Sequence, residues 1–305
     1  MFIVNPDPYL LPTFRISPFA TSFLSENENL PFDNFADTYL DNKFNKKLWV
    51  YTINGRQAIE QALKNYNLAP TDVVTILTTS GNKYISSCVT SSIEKFCQWN
   101  RELSADTKII FVNHEFGYPF QQMEELLALN IPIIEDCCTT FFSDDDNNKL
   151  GKYGDYAIYS LPKFFPIQVG GVLVANKNKP LPSMDLINDE QKQYIQKVLS
   201  FHLKQENNLL SKRKENFNYA FNKFSNLGFT LRFETKATTV PSVLMLNNNA
   251  VVKDLNALKV HFANYGVQSS VFYGEKAFFI PNHQSLSYAN IDYLFNCLVQ
   301  FLKNQ

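Results

Sequence analysis

Five short apolar runs, separated by segments with helical spacing, constrain the fold of this chain more than any other feature. The runs cover residues 73–77, 109–113, 131–135, 156–159 and 171–174. Apolar residues recur at helical spacing between them, at 57–65 and 120–129. Continuous apolar strands joined by helices are typical of a mostly parallel α/β sheet sandwiched between helices. Some links between residues 150 and 175 are too short for helices, so part of the sheet must be antiparallel or hairpin-linked.

The chain divides into four predicted parts. They are an N-terminal arm rich in Pro, Asn and Phe (1–45), a large domain (46–188), a linking helix (189–226) and a small C-terminal α+β domain (227–305). In the last part the pattern predicts strands and helices at 240–246, 254–265, 269–273, 277–280 and 288–302. This organisation predicts a large sheet domain followed by a smaller α+β domain in the same chain.

Composition excludes several classes of protein. The 305 residues include 28 Lys and Arg against 29 Asp and Glu, a net charge of −1, and 45% are hydrophobic. A chain this apolar can bury a core, and its balanced charge argues against broad binding to nucleic acid or to an anionic membrane. No apolar run approaches the ~20 residues that span a bilayer, and no secretory signal is evident. The five Cys form no CxxC pair, which indicates reduced thiols in a cytoplasmic protein.

Three segments carry residues suited to chemistry. Asp136 ends a predicted strand, where ligands bind in α/β sheets, although such an Asp can equally cap the next turn. Lys163 follows Ser160 among Pro and Phe residues, so we expect partial desolvation, which favours the neutral amine that Schiff-base formation needs. The alternative is a lysine stem packed on aromatic rings. Gly55 opens a helix whose free N–H groups would bind an anion beside Arg56.

Together these segments resemble the DegT/DnrJ/EryC1/StrS family of sugar aminotransferases, which are fold-type I pyridoxal-phosphate enzymes. The resemblance lies in the order of six short motifs. They are Asn54-Gly55-Arg56, Tyr84, Phe116-Gly117, Glu135-Asp136, Ser160 to Lys163, and Gly170-Gly171. It extends over about residues 40–180 and, more loosely, 240–305.

The resemblance implies the following roles. Lys163 would form the Schiff base with pyridoxal phosphate and shuttle a proton, and Asp136 would pair with the protonated pyridine nitrogen. Tyr84 would stack on the pyridine ring. Thr139, where the family has Gln or His, would donate to the ring hydroxyl.

The phosphate would be held at the start of the predicted helix. The residues implied there are Asn54, Gly55, Arg56 and Ser160. Arg56 replaces a small hydroxyl residue of the family, so charge would contribute more to this contact. Two further departures are the absence of the family's inter-subunit Asn segment between residues 176 and 214 and a shortened region before Lys108.

The resemblance implies transfer of an amino group, with glutamate as donor, to a nucleotide-linked keto-sugar, as in polysaccharide biosynthesis, by a homodimer. One alternative is a relative without transaminase activity that serves as a binding or regulatory protein. Another is a pyridoxal-phosphate-dependent sugar dehydration, which the retained Lys163 disfavours.

Metal binding has little support in the sequence. Asp144, Asp146 and Asn148 alternate as in a calcium loop, but Lys149 stands where such a loop needs Gly. The four His have no ligand spacing, so no metal site is expected. His114 lies at a strand end, where a structural hydrogen bond is favoured over a place in the site.

Overall fold

The computed structural model describes residues 12–182 and 185–305. Its larger sheet has seven strands in the order β1-β7-β6-β5-β4-β2-β3. The strands are β1 Trp49–Thr52, β2 Val73–Thr78, β3 Gln98–Asn100, β4 Thr107–Asn113, β5 Ile133–Asp136, β6 Tyr156–Ser160 and β7 Gly171–Ala175. Five of them, β2 to β6, are parallel, while β7 runs antiparallel to both β6 and β1. The predicted mostly parallel sheet with an antiparallel part is confirmed.

Five helices accompany this sheet or precede it in the described residues. They are α1 Phe23–Glu28, α2 Phe35–Lys43, α3 Gly55–Lys64, α4 Ser87–Ile93 and α5 Met123–Leu127. The start of α3 follows from local chemistry, because the Asn54 side chain accepts a hydrogen bond from the Gln57 N–H at 3.0 Å.

The C-terminal part forms an antiparallel sheet of four strands in the order β10-β11-β9-β8. Its strands are β8 Thr230–Leu231, β9 Val243–Asn247, β10 Ser270–Phe272 and β11 Ala277–Pro281. The helices are α6 Asp189–Leu203, α7 Glu206–Ser225, α8 Leu255–Asn264 and α9 Tyr288–Lys303. None of the helices in the described ranges combines the length and apolarity that a membrane crossing requires.

Both faces of the large sheet are buried, as the apolar runs predict. In β7, Val172 and Val174 join one buried cluster, while Leu173 and Ala175 join another. Successive side chains of a strand point to opposite faces, so this division places one cluster on each side of the sheet. Burying each large aliphatic side chain contributes about 1.5–3 kcal/mol, so the side chains of β7 stabilise the packing on both faces of the sheet.

Two predicted segments differ from the structure. The predicted linking helix is two helices, because α6 ends at Leu203 and α7 begins at Glu206. The predicted arm, of which residues 1–11 lie outside the described part, contains α1 and α2. The arm packs on this chain's own α6, where the Ala36 N–H donates to Ser200 Oγ at 2.8 Å. The division into four domains stays a prediction.

The two antiparallel pairings bring distant segments to one edge of the sheet. Strand β7 runs antiparallel to both β6 and β1, so β1 and β6 point in the same direction. Both therefore end at the same edge of the sheet as β4 and β5. Gly171 makes this arrangement possible, since it pairs with both Thr52 and Ser160. A Cβ there would lie 2.6 Å from Thr52 Oγ1 and 2.9 Å from the Tyr159 carbonyl oxygen. The start of α3, Asp136 and the link after β6 therefore share one edge.

Candidate active site

Lys163 lies at this edge, in a 3-10 turn formed by Leu161–Lys163 directly after β6. Its side chain is exposed, whereas Phe164 and Phe165 are fully buried. The predicted partial desolvation of this lysine is therefore wrong, because its aromatic neighbours turn into the core and leave the amine outside. Lys163 is one of the residues that line a cavity of about 190 Å³ at this edge.

Other residues from distant parts of the chain line the same cavity. Among them are Tyr84, Asn113, Glu115, Phe116 and Thr139. The structure thus brings together Lys163, Tyr84 and Thr139, three of the predicted site residues, although they come from three separate links. This cavity is the candidate active site.

Asp136 is the buried carboxylate of the edge, with only 4% of its surface exposed. Its Oδ2 accepts a hydrogen bond from Asn113 Nδ2 at 2.7 Å, and its Oδ1 accepts one from the Cys138 N–H at 3.0 Å. Asn113 is available because it pairs with Asp136 across the parallel strands β4 and β5. A carboxylate has about four acceptor positions, so Asp136 can accept a further donor while its orientation stays fixed.

Glu135 has a structural role on the opposite face of β5. Its carboxylate accepts hydrogen bonds from the N–H groups of Gly154 at 2.7 Å and Gly151 at 2.9 Å, and from His114 Nε2 at 3.3 Å. His114 Nδ1 accepts from the Phe120 N–H at 3.0 Å, so Nε2 carries the proton. This supports the structural reading of His114.

A cluster of possible metal ligands also lies here, which the sequence spacing did not reveal. His114, Glu135 and Cys137 are buried and offer ligand atoms within 4.8 Å of one another. Both ring nitrogens of His114 and both carboxylate oxygens of Glu135 already have protein partners. The candidate ligand atoms of His114 and Glu135 are therefore already engaged in hydrogen bonds within the protein.

The start of α3 faces Ser160 and Cys138. A Cβ added to Gly55 would lie 3.0 Å from Cys138 Sγ, a tight contact that requires the sulfur to shift slightly, and 3.5 Å from Ser160 Cβ, an ordinary contact. The N–H groups of Gly55 and Arg56 belong to the first turn, where no helical acceptor exists. Arg56 is exposed, and the Asn54 side chain is engaged in capping the helix. The arrangement leaves backbone donors beside a hydroxyl, which suits an anion.

Tyr84 and Thr139 occupy more restricted positions than the resemblance implied. The Tyr84 ring lies 5.5 Å from that of Phe272 and 6.3 Å from that of Phe116, in an aromatic cluster between the two sheets. The Thr139 hydroxyl donates to the His114 carbonyl at 2.8 Å. In this geometry the hydroxyl donates within the protein and its oxygen is left as an acceptor, and donation by Thr139 to a ring hydroxyl stays a prediction.

The residues present fit pyridoxal phosphate by the chemistry of their donors. The fold supplies an exposed amine at Lys163, a buried carboxylate at Asp136, and a glycine-lined anion cradle beside Ser160. An amine, a carboxylate and an anion site match the aldehyde, the pyridine nitrogen and the phosphate of this cofactor.

The sequence reasoning missed several residues of this edge. The sequence does contain a signal for Asn113, because this polar residue ends the apolar strand next to the one that Asp136 ends. Cys138 and Glu115 had none, since their places depend on contacts between distant segments. Arg213 is fully buried in α7 and donates to Gln284 Oε1 at 2.9 Å and to the Lys163 carbonyl at 3.5 Å. It stands in the charged run 211–215, which reads as a solvated face.

Residues 98–187 match the model of the DegT/DnrJ/EryC1/StrS aminotransferase family. No curated protein matches the chain. Among solved structures, the aminotransferase TlmJ from Streptoalloteichus hindustanus is similar with a TM-score of 0.74 and 14% identity, over 96% of this chain and 99% of that one.

Two further structures share the fold. DesV from S. venezuelae, solved in complex with a ketimine intermediate, has a TM-score of 0.69 and 13% identity, over 96% of this chain and 98% of that one. The E. coli GDP-4-keto-6-deoxy-D-mannose-3-dehydratase, solved with bound hydrated pyridoxal phosphate, has a TM-score of 0.64 and 14% identity, over 95% and 100%. At such identities these likenesses establish the fold.

The fold, the site chemistry and the matched segment together define the class as a pyridoxal-phosphate-dependent aminotransferase. Within that class, residues 98–187 are similar to the DegT/DnrJ/EryC1/StrS family, and the resemblance noted in the sequence is confirmed.

Proposed function

We propose that this protein transfers an amino group from glutamate to a nucleotide-linked keto-sugar, with Lys163 as the residue that binds the cofactor covalently and moves the proton. The observation that carries the proposal is that Lys163, directly after β6, and the buried Asp136 carboxylate, at the end of the neighbouring strand β5, lie at the same edge of the sheet.

When bound, pyridoxal phosphate supplies an electron sink for the reacting carbon. Asp136 would support this chemistry by holding a proton on the pyridine nitrogen, and its bonds from Asn113 and Cys138 keep the carboxyl group in one orientation. Lys163 takes the proton from the substrate carbon and returns it, for which its exposed amine is free to swing.

The remaining residues position the cofactor. Ser160 and the N–H groups of Gly55 and Arg56 would bind the phosphate, with the Arg56 guanidinium adding charge, while Asn54 fixes the helix start. Tyr84, in the cavity wall, would cover the ring.

The substrate class rests on the similar structures and on the family. The E. coli neighbour is a dehydratase of a GDP-linked keto-sugar, and the matched family is one of aminotransferases. Glutamate as donor, a cytoplasmic location and a homodimer belong to the same proposal, and sedimentation of the purified protein tests the dimer.

The test begins with the purified protein and pyridoxal phosphate. The wild type should develop Schiff-base absorbance, and Lys163→Ala should not, while the exposed Lys83→Ala serves as a control that keeps it. Glutamate should then convert the cofactor to its amine form and release 2-oxoglutarate in equal amount. Absorbance that survives in Lys163→Ala would overturn the role of Lys163.

A relative without transaminase activity remains the second candidate. The small cavity, about 190 Å³, and the packing of Tyr84 among aromatic rings favour it. Conversion of the bound cofactor by glutamate would exclude this candidate, whereas cofactor binding without conversion would support it.

A further inference from the structure

Glu115 is a buried carboxylate in the wall of the candidate active site that neither the sequence motifs nor the proposed function uses. It follows β4 in a short 3-10 turn, is 3% exposed, and lines the same cavity as Lys163. Its Oε2 accepts a hydrogen bond from the Ser80 N–H at 2.7 Å. Its Oε1 is buried and has no hydrogen-bond partner within the described residues.

A buried acceptor without a partner costs about 1–3 kcal/mol, so such a group needs a reason. Burial raises the pKa of the Glu115 carboxyl, and the bonds from Ser80 and the charge of Arg101 act in the opposite direction. Burial has the larger effect, so the fold keeps an acidic side chain where an apolar one would cost less. A donor supplied by a ligand in the cavity would satisfy the free oxygen.

Arg101 indicates which donor fits. Its Nη2 donates to the Asn82 carbonyl at 2.5 Å, while Nε and Nη1 are buried and lack partners in the part of the chain that the structure describes. Arg101 is close enough for its charge to act on Glu115. An ammonium group would be repelled by this guanidinium, and a second carboxylate by Glu115. A hydroxyl group carries no charge and both donates and accepts.

We propose that Glu115 recognises the sugar substrate by accepting a hydrogen bond from one of its hydroxyl groups at Oε1. This inference rests on the proposed function and extends it, since it assigns the sugar hydroxyl to Glu115. Glutamate, which brings two carboxylates, is a poor ligand for the same position.

The test compares Glu115→Gln with the wild type, both loaded with pyridoxal phosphate. The glutamine has the same shape, and its amide oxygen can still accept from the Ser80 N–H, but an amide N–H₂ replaces the free oxygen. Binding of UDP-glucose, dTDP-glucose and GDP-mannose is measured by calorimetry. We expect about 10- to 100-fold weaker binding of the best probe, as for lost bonds to a buried charged acceptor.

Two controls accompany this variant. Glu102→Gln removes an exposed carboxylate of the same region and should leave binding within twofold. Melting curves establish that Glu115→Gln is folded, and Glu115→Asp, which keeps the charge, provides a second variant that should bind more tightly than the glutamine.

A loss smaller than about fivefold in Glu115→Gln would overturn the inference, because water alone would then explain the free oxygen. Failure of all three probes to bind the wild type would overturn it as well. Neither result touches the proposed aminotransferase activity, which the reaction of the wild type with glutamate decides independently.

Discussion

At the scale of single residues, Asp136 shows how a strand end becomes a reactive position. Its carboxyl group is buried, and two hydrogen-bond donors hold it in one orientation. We expect Asp136→Asn to slow the conversion of the cofactor by glutamate by about 10²-fold or more, since the neutral amide cannot hold a proton on the pyridine nitrogen. Stopped-flow absorbance measures this rate. Asp106→Asn, an exposed change, should have no effect, and equal rates in both variants would contradict the role of Asp136.

His283 gives the fold a specific sensitivity to acid. It is 4% exposed, and burial, with a smaller contribution from the charge of Arg213, lowers its pKa from 6.5 to about 3. The unfolded chain binds a proton at this position below pH 6.5, while the folded chain stays neutral. Stability is therefore complete above pH 6.5 and falls as the pH drops towards 3, by up to about 1.4 kcal/mol per pH unit.

His283→Gln should remove this contribution. Between pH 7.5 and 5.0 we expect the free energy of unfolding in urea to fall by about 2 kcal/mol less in the variant than in the wild type. His202, whose pKa burial lowers to about 4, is present in both proteins and cancels in the comparison. Parallel pH profiles would show that His283 is not the cause.

At the scale of elements, Gly171 decides whether β1, β6 and β7 can meet. Gly171→Ala would place a methyl group against the backbone of Asn54 and Tyr159, both at 2.9 Å. We expect a loss of about 2–4 kcal/mol in the free energy of unfolding, because backbone cannot move aside as a side chain can. Gly81→Ala is the matched control, since a Cβ there meets nothing within 4 Å and only its positive φ of 70° opposes the change. A loss no larger than that of the control would contradict the argument.

The sequence predicted elements well where apolar residues recur regularly. Strands β2, β4, β6 and β7 and helices α8 and α9 lie within a few residues of their predicted positions. Helix α4, with the sequence SCVTSSI, was missed because small polar residues give little periodicity. The break between α6 and α7 was missed because Lys204 and Gln205 are good helix formers.

The candidate site was predictable only in part, because a local sequence pattern shows some of its residues and not others. Asp136 ends a strand and Lys163 closely follows one, so a local pattern shows them. Glu115, Arg101 and Arg213 derive their importance from contacts across the fold, which no local pattern encodes. The exposure of Lys163 was also beyond the sequence, because Pro and Phe neighbours can turn either towards a side chain or away from it.

At the scale of the whole molecule, cofactor binding should stabilise the folded chain. At a concentration 100 times its Kd, pyridoxal phosphate should add about 2.7 kcal/mol to the free energy of unfolding and raise the melting temperature. Pyridoxal without the phosphate should give a smaller rise, because the donors at Gly55 and Ser160 then have no anion to bind. Equal rises with both compounds would contradict the predicted phosphate cradle.

The antiparallel pairing of β1 with β7 also sets an order of assembly. Trp49 pairs with Val174, and Thr52 with Gly171, so β1 has no neighbour in the sheet until the ribosome has made most of the large domain. Pairings between residues this far apart form slowly, because a long loop must close first. Helix α3 follows β1 and reaches Ser160 only at that stage. The edge that carries Lys163 and Asp136 is therefore incomplete until β7 has been made, and a nascent chain truncated before β7 should be unable to retain pyridoxal phosphate.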